Sequence, residues 1–422
     1  MKSYALLLLS ALIVHGAENQ GPRQLADFGI AGDGKTDDTA AIQKAVDAGI
    51  GELRFWRGTF RISKPVLIDL DRVGPVSISG AGVATIVMTG AGPAFRITGT
   101  HAGNAAPSSI KPNVWSRQRA PMIDGIEIVG EHAGAIGIQL EGLMQPTLTR
   151  LVIRNALHGI RITGTNRNII LSECHVYNNR GVGILLEDLN LHQINITGSH
   201  VSYNGGGGIV IRRSEIRNIQ IGTSDIEANM DVKGPATANV LFDAREGSIL
   251  EGAITGCTIQ HTRDAPGSAN IRLLGRSADD PNQVGNLIIA NNVFSDVGVN
   301  IHLRHSRGVV VTANTFWKGY EHHMLVEGSS NIVVGPNLLD RNPIYRTPDS
   351  PDNIVFTDST DSSIDGLHIT APRNSEAALV LRRCRRFRLS NIFILDAGNR
   401  GLLLDDTSDI EISGAGIGGR LP

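Results

Sequence analysis

Apolar residues in this 422-residue chain alternate with a period of two, in short runs that recur every 23–31 residues or so. GIQLE at 137, GIRIT at 159, GILLE at 183 and GIVIR at 208 begin the clearest series. It continues as NVLFD at 239, NIRLL at 270, NIHLR at 300, HMLVE at 323, NIVFT at 353, ALVLR at 378 and GLLLD at 401. In each run the second and fourth residues are apolar, so an extended backbone puts them on one face. A second run follows many of the first, as in INITG at 194, IQIGT at 219, LIIAN at 287, VVVTA at 309 and IEISG at 410. CHV at 174, SHV at 199, SDI at 224 and CTI at 257 form a third.

Three short strands per repeat predict an all-β parallel β-helix, a solenoid whose coils stack at about 4.8 Å around an apolar interior. A helical bundle is excluded, because no apolar period of 3.6 persists and Gly and Asn recur throughout. A propeller would need about four strands in some 40 residues. Equivalent positions then form columns. Asn179, Asn204 and Asn229 fall at one corner of successive coils, where Asn tolerates a left-handed turn, and predict a structural ladder. Cys174 and Cys257 share an interior column three coils apart, about 14 Å, and are expected to be buried free thiols.

The N-terminus changes the compartment. MKSYALLLLSALIVHGA has Lys2, an apolar stretch from Ala5 to Val14, then small residues at Gly16 and Ala17. It reads as a signal peptide over 1–17, leaving a single domain over 18–422 that is secreted or periplasmic. No second apolar run could span a membrane. Net charge is −2, so nothing favours nucleic acid or an anionic membrane as partner. Seven lysines leave 32 of the 39 basic residues as arginine, whose planar fork suits carboxylate and sulfate groups, although biased codon usage gives the same excess. Three cysteines in an exported chain mean that the fold does not depend on disulfides, and no Cys/His spacing suits zinc.

A coil stack needs an end cap. Residues 26–62, ADFGIAGDGKTDDTAAIQKAVDAGIGELRFWRGTFRI, predict one together with the first strands. Thr36 or Asp37 would cap a short α-helix with an apolar side at Ile42 and Val46, ended by Gly49. Asp27, Gly29, Gly32, Asp33, Gly34, Thr36, Asp37, Asp38, Thr39, Ala41, Ile42 and Ala45 fit a D-x-G-A-x-G-D-G-x-T-D-D-T-x-A-I-x-x-A pattern. This stretch resembles the N-terminal signature of the pectate-lyase-like superfamily, of the rhamnogalacturonase/epimerase type. The resemblance implies a right-handed β-helix and admits lyases, hydrolases, epimerases and phage tailspikes. The coils lack the Asn-Thr-Asp, Gly-His-Gly and Arg-Ile-Lys motifs of polygalacturonases, and the only strand-end Asp-Asp is Asp405–Asp406 in the last coil. The Asp-Pro-His of alginate epimerases is also missing.

Enzymes that share this resemblance work on the outer face of the first strand and the turn leading into it. The fifth position of that strand runs Glu141, Thr163, Glu187, Arg212, Asp243, Leu274, Arg304. Glu187, Arg212 and Asp243 are thus consecutive neighbours, joined by His158, Arg180 and Tyr203 from the turns and by Arg161 from the third position. A solvated charge ladder would choose the same trio, at about 0.2–1 kcal/mol per pair. The expected chemistry is β-elimination on an acidic, uronate-containing polysaccharide. Arg212 or Arg161 would neutralise the uronate, with His158 or Tyr203 as base. Glu187 and Asp243 are candidate Ca²⁺ ligands. An inverting hydrolase using Glu187 and Asp243, and a non-enzymatic carbohydrate-binding or surface protein, are the alternatives. The long segment 99–121 carries Trp115, Arg117 and Arg119, which could stack on a sugar and pair with its acid group, or pack along the shaft. Leu185, Val210 and Leu241 form an apolar column facing outward, and predict a cover by that segment or by a second subunit. His175, His200 and Asp225 share a column that is expected to be surface packing rather than a metal site.

Overall fold

The computed structural model describes residues 24–103, 105–346 and 348–419; the expected signal peptide lies outside them. The chain is a right-handed parallel β-helix. Ile138, Ile160, Ile184, Ile209, Val240, Ile271, Ile301, Met324, Ile354, Leu379 and Leu402 pair in unbroken parallel register, which is the series expected from the alternation. Two earlier coils, at Val66–Asp69 and Gly92–Thr98, precede it. Nearly all of these inward residues are fully buried, and burial of such columns is the main stabilising term of the stack.

Polar groups inside the stack are satisfied from coil to coil. Asn179 donates its backbone and side-chain N–H to Asn204 Oδ1 at 3.1 and 2.9 Å, and Asn204 does the same to Asn229. The first strands of these coils start with glycine because the amides need the space. A Cβ on Gly183 or Gly208 would lie 2.8 Å from the Nδ2 of Asn204 or Asn229. Asn229 then bonds to Asn239, which stands at the start of the strand itself, and the ladder continues through Asn270 and Asn300 to His323. The ladder read from three corner residues is therefore longer, and it changes position within the coil midway.

A second column explains the cysteines. Cys174 N donates to Ser199 Oγ and Ser199 N to Ser224 Oγ, each at 3.1 Å, while Cys257 N donates to Asn292 Oδ1 at 2.9 Å. All three thiols are free and buried, and burial pushes the Cys174 thiol up to about 11. They act as small interior groups, not nucleophiles.

At the N-terminal end α1 (Thr39–Asp47) lays Ile42, Ala45 and Val46 over the first coil. Its N-cap residue is Asp38 rather than Thr36 or Asp37, and the Asp38 carboxylate turns back to accept from Ala31 N (2.7 Å) and Gly32 N (3.0 Å). The Gly-rich signature is thus held onto the helix start. Asp37 instead accepts from Thr39 N at 3.0 Å, and Gly49 follows the helix with φ +68°.

Two predictions arise here. Ile42→Asp or Val46→Asp uncovers the end of the stack and buries a charge, so aggregation or loss of folding is expected in size-exclusion chromatography; a monodisperse variant with parental stability would contradict the cap. The second is a pH effect. Burial drives the His323 imidazole down to about 4, from 6.5. Between these values the unfolded chain takes up a proton that the folded one refuses, so stability falls as pH drops from 6.5 to 4, by up to about 3 kcal/mol. His323→Asn continues the ladder from Asn300, whose amide is hydrogen-bonded to the ring at 3.0 Å, and should flatten that limb in melting curves taken across this range. An unchanged slope would contradict it.

Candidate functional site

On the outer face of the first sheet the structure brings Arg161, Glu187 and Arg212 into direct contact, and adds Arg213. Glu187 is 6% exposed and accepts from Arg161 Nε (2.9 Å), Arg212 Nε (2.9 Å) and an Arg213 terminal nitrogen (3.0 Å). Burial alone would raise its carboxyl; the hydrogen bonds and charges of Arg212 and Arg161 outweigh this and hold it below the usual range. The group is therefore no exposed ladder but a buried anion shared by three cations. Arg213 also clasps Asp188, the residue after Glu187, at 2.7 and 3.1 Å.

Asp243 is Arg212's register neighbour, yet its partner is Arg245, at 2.8 and 2.6 Å. Burial works to raise it, but the Arg245 bonds keep it below its ordinary value. The calcium assignment does not fit: both oxygens of Glu187 and of Asp243 are taken by guanidinium groups, which repel a cation. Among the described residues no three His, Cys, Asp or Glu side chains converge as metal ligands. His175 and His200 stack face to face at 5.0 Å, with His200 Nδ1 3.3 Å from Asp225.

His158 sits beside this cluster. Its Nδ1 accepts from Val182 N at 3.0 Å, which fixes the proton on Nε2. Burial is the largest cause of its lowered pKa, with Arg212 and Arg161 adding to it against Glu187. The neutral ring is thus a donor at Nε2, which corrects its assignment as base. Tyr203 lies at the corner before the first strand, 58% exposed, and its hydroxyl has no hydrogen bond among the described residues. It borders a recess of about 540 Å³ with Arg180 and Asp231. Arg180 itself is committed to the carbonyls of Asn155 (2.7 Å) and His132 (2.6 Å).

The 99–121 segment packs along the shaft rather than over the cluster. Ile110 and Val114 bury against Met144, and Gln118 accepts from Thr100 N and donates to Asp71. Arg117 donates to the carbonyls of Asp71 and Arg72, beside the earliest coils, while Arg119 forms a backbone bridge to Met144. Trp115 is 36% exposed on this segment. Most of the apolar column is covered within the chain, and Leu241 stays partly buried. Leu185 and Val210 are buried with Val182, and a Cβ on Gly207 would lie 2.5 Å from Val210 and 2.9 Å from Thr237, so the corner backbone closes over them.

Further along the strip Arg272, His302 and Glu327 form a relay that sequence reasoning missed. Arg272 Nε donates to His302 Nδ1 (3.1 Å), so His302 holds its proton on Nε2, 2.8 Å from Glu327. Arg213 and Arg245 were missed too. The signal for Arg213 was present, since Asp188 and Arg213 occupy the position after the strand, one repeat apart.

Three family models match the chain in succession. "Rhamnogalacturonase A/epimerase, pectate lyase-like" matches residues 23–119, "Right handed beta helix region" 98–226, and "Periplasmic copper-binding protein (NosD)" 238–414. No curated protein matches. Among solved structures, bacteriophage phi29 gene product 12 in its pre-mature form aligns over 94% of this chain and 56% of its own, at 14% identity and TM-score 0.64. The Dettilon tailspike protein gp208 aligns over 81% of this chain and 65% of its own, at 16% identity and TM-score 0.59. The tailspike gp49 of Pseudomonas phage LKA1 aligns over 93% and 83%, at 12% identity and TM-score 0.51. The chain thus spans 65% and 56% of the first two tail proteins, and the likeness at these identities is one of fold. The N-terminal signature, the unbroken register and the three successive matches agree on a right-handed parallel β-helix, with residues 23–119 matching the pectate-lyase-like model.

Proposed function

We propose that this protein acts outside the cytoplasm on an acidic, uronate-containing polysaccharide, which it holds along the outer face of the first sheet and cleaves by β-elimination. The observation that carries this reading is the Glu187 cluster. Four guanidinium groups (Arg161, Arg212, Arg213 and Arg245) stand on or beside this face against Glu187, Asp188 and Asp243, within a chain of net charge −2. Glu187 orients its arginines without using up their donors. Arg161 bonds it through Nε, and Arg212 through Nε and one terminal nitrogen, leaving the other N–H groups for a uronate carboxylate.

β-Elimination needs that carboxylate neutralised so that the proton at C5 becomes acidic, then a base for the proton and a donor for the leaving oxygen. Arg161 and Arg212 neutralise. Tyr203, exposed at the corner, acts as the phenolate that takes the C5 proton and then passes it to the leaving oxygen, to which His158, fixed as the Nε2–H form, donates a hydrogen bond. A hydrolase working through Glu187 and Asp243 would need one carboxyl to keep its proton near neutrality, and both are held low.

The test is incubation with a panel of uronate polysaccharides. Ultraviolet-absorbing unsaturated ends are expected; saturated reducing ends would mean hydrolysis, and binding without new ends an adhesive role. Arg212→Ala should lower kcat/KM by about a hundredfold or more. It should cost only about 1–2 kcal/mol of stability, because Arg161 and Arg213 still hold Glu187. Full activity in a folded Arg212→Ala variant would remove this strip from the mechanism.

A further inference from the structure

The segment of residues 340–352, between a third strand and the next first strand, is fastened by buried charges. Lys318 is 0% exposed and Asp352 3%. The Lys318 ammonium donates to Pro348 O (2.6 Å) and Ser350 Oγ, and Arg341 donates to Asp352 (2.6 Å) and Ser350 O (2.7 Å). Asp352 also accepts from Gly319 N at 2.8 Å. Apolar residues of the same volume would stabilise such a spot as well or better, so the network is poorly explained by stability alone.

What it secures is the position of Tyr345. The tyrosine ring stacks on Trp317 at 4.8 Å and 26°, yet Tyr345 stays 58% exposed and the adjacent Ile344 78%. Trp317 follows Phe316, the register partner of Phe294, and so stands one coil on from Ser295. Around Ser295 lies a set of polar groups that the first-sheet reading does not use. Its Oγ is 3.1 Å from Gln260 Oε1 and 3.3 Å from Asp296 Oδ2, and His261 Nδ1 is 3.6 Å from the same Asp296 oxygen. Gln260 Nε2 donates on to Glu227 at 3.0 Å, and the Arg263 guanidinium covers the Tyr320 ring at 4.6 Å. Burial raises the Asp296 carboxyl from its ordinary value, with His261 opposing.

We propose that this corner, from Gln260 to Tyr345, is a second saccharide-binding site, in which a pyranose ring stacks on the Tyr345–Trp317 platform and its hydroxyls bond to Asp296, His261 and Gln260. A sugar ring has one apolar face and a polar rim, which is the arrangement offered here. A protein partner would need about 800 Å² of surface, far beyond two rings and one isoleucine. The site lies at the end of the third strands, away from the Glu187 cluster, and stands independently of the lyase reading.

Affinity electrophoresis in gels containing glucan, galactomannan, polygalacturonate or alginate tests it, with the full chain and the Arg212→Ala variant as hosts. At least one polysaccharide should retard Arg212→Ala. Adding Tyr345→Ala should weaken that retardation about tenfold, while Tyr345→Phe, which keeps the stacking ring, should retain it. Undiminished binding by Tyr345→Ala, or no retardation of Arg212→Ala in any gel, would overturn the proposal. Loss of binding through Tyr345→Ala with no effect of Arg212→Ala would support this site and count against the first-sheet one.

Discussion

Neighbouring coils of a parallel β-helix are joined by backbone hydrogen bonds at a fixed step of about 4.8 Å, so every side chain meets its own equivalent one repeat away. Inside, an isoleucine above an isoleucine satisfies this requirement without further help. A buried polar group does so only if the next coil offers a partner. The Asn179–Asn204–Asn229 run, its continuation through Asn239, Asn270 and Asn300, and the hydroxyls of Ser199 and Ser224 beneath Cys174 are all answers to the same problem. Each amide gives to the coil after it and receives from the one before, so none is left unpaired.

Outside, the same step governs charge. Asp188–Arg213, Asp358–Arg383 and Asp361–Arg386 are each 25 residues apart, and each is a two-pronged guanidinium–carboxylate pair. Much of the arginine excess is used in this way, since the rigid fork of arginine fits a carboxylate one coil away better than a flexible ammonium does. Exposed pairs of this kind contribute little individually. Glu187 differs because it is buried and takes three partners, which turns a surface pair into a preorganised cationic strip.

The architecture was legible in the sequence because period-two alternation and repeat spacing are local signals. Ile138 to Leu402 could be aligned by eye, and the glycine-rich signature marked the cap. Reading the columns also brought Arg161, Glu187 and Arg212 together. Partner choice was less visible. The register puts Arg212 between Glu187 and Asp243, but side-chain lean sends it to Glu187 and leaves Asp243 to Arg245 in its own coil. Coverage was hidden for a similar reason: Leu185 faces outward by parity, yet Val182 and the corner at Gly207 fold over it. For Arg117 the sequence left both a sugar contact and packing along the shaft open, because its carbonyl partners, Asp71 and Arg72, lie 45 residues or more away. The Tyr345–Trp317 stack depends on a loop whose path no periodicity records.

These features together describe a rigid shaft that displays chemistry in rows, with an arginine-rich strip on one face and an aromatic corner further along. The account stands or falls on whether the Glu187 cluster receives a uronate. The most direct measurement is a crystal structure of the protein with a bound uronate oligosaccharide. The account predicts a sugar carboxylate within hydrogen-bond distance of the Arg161 or Arg212 guanidinium on the first sheet. An oligosaccharide that binds in solution yet occupies another face, leaving both arginines with Glu187 alone, would contradict it.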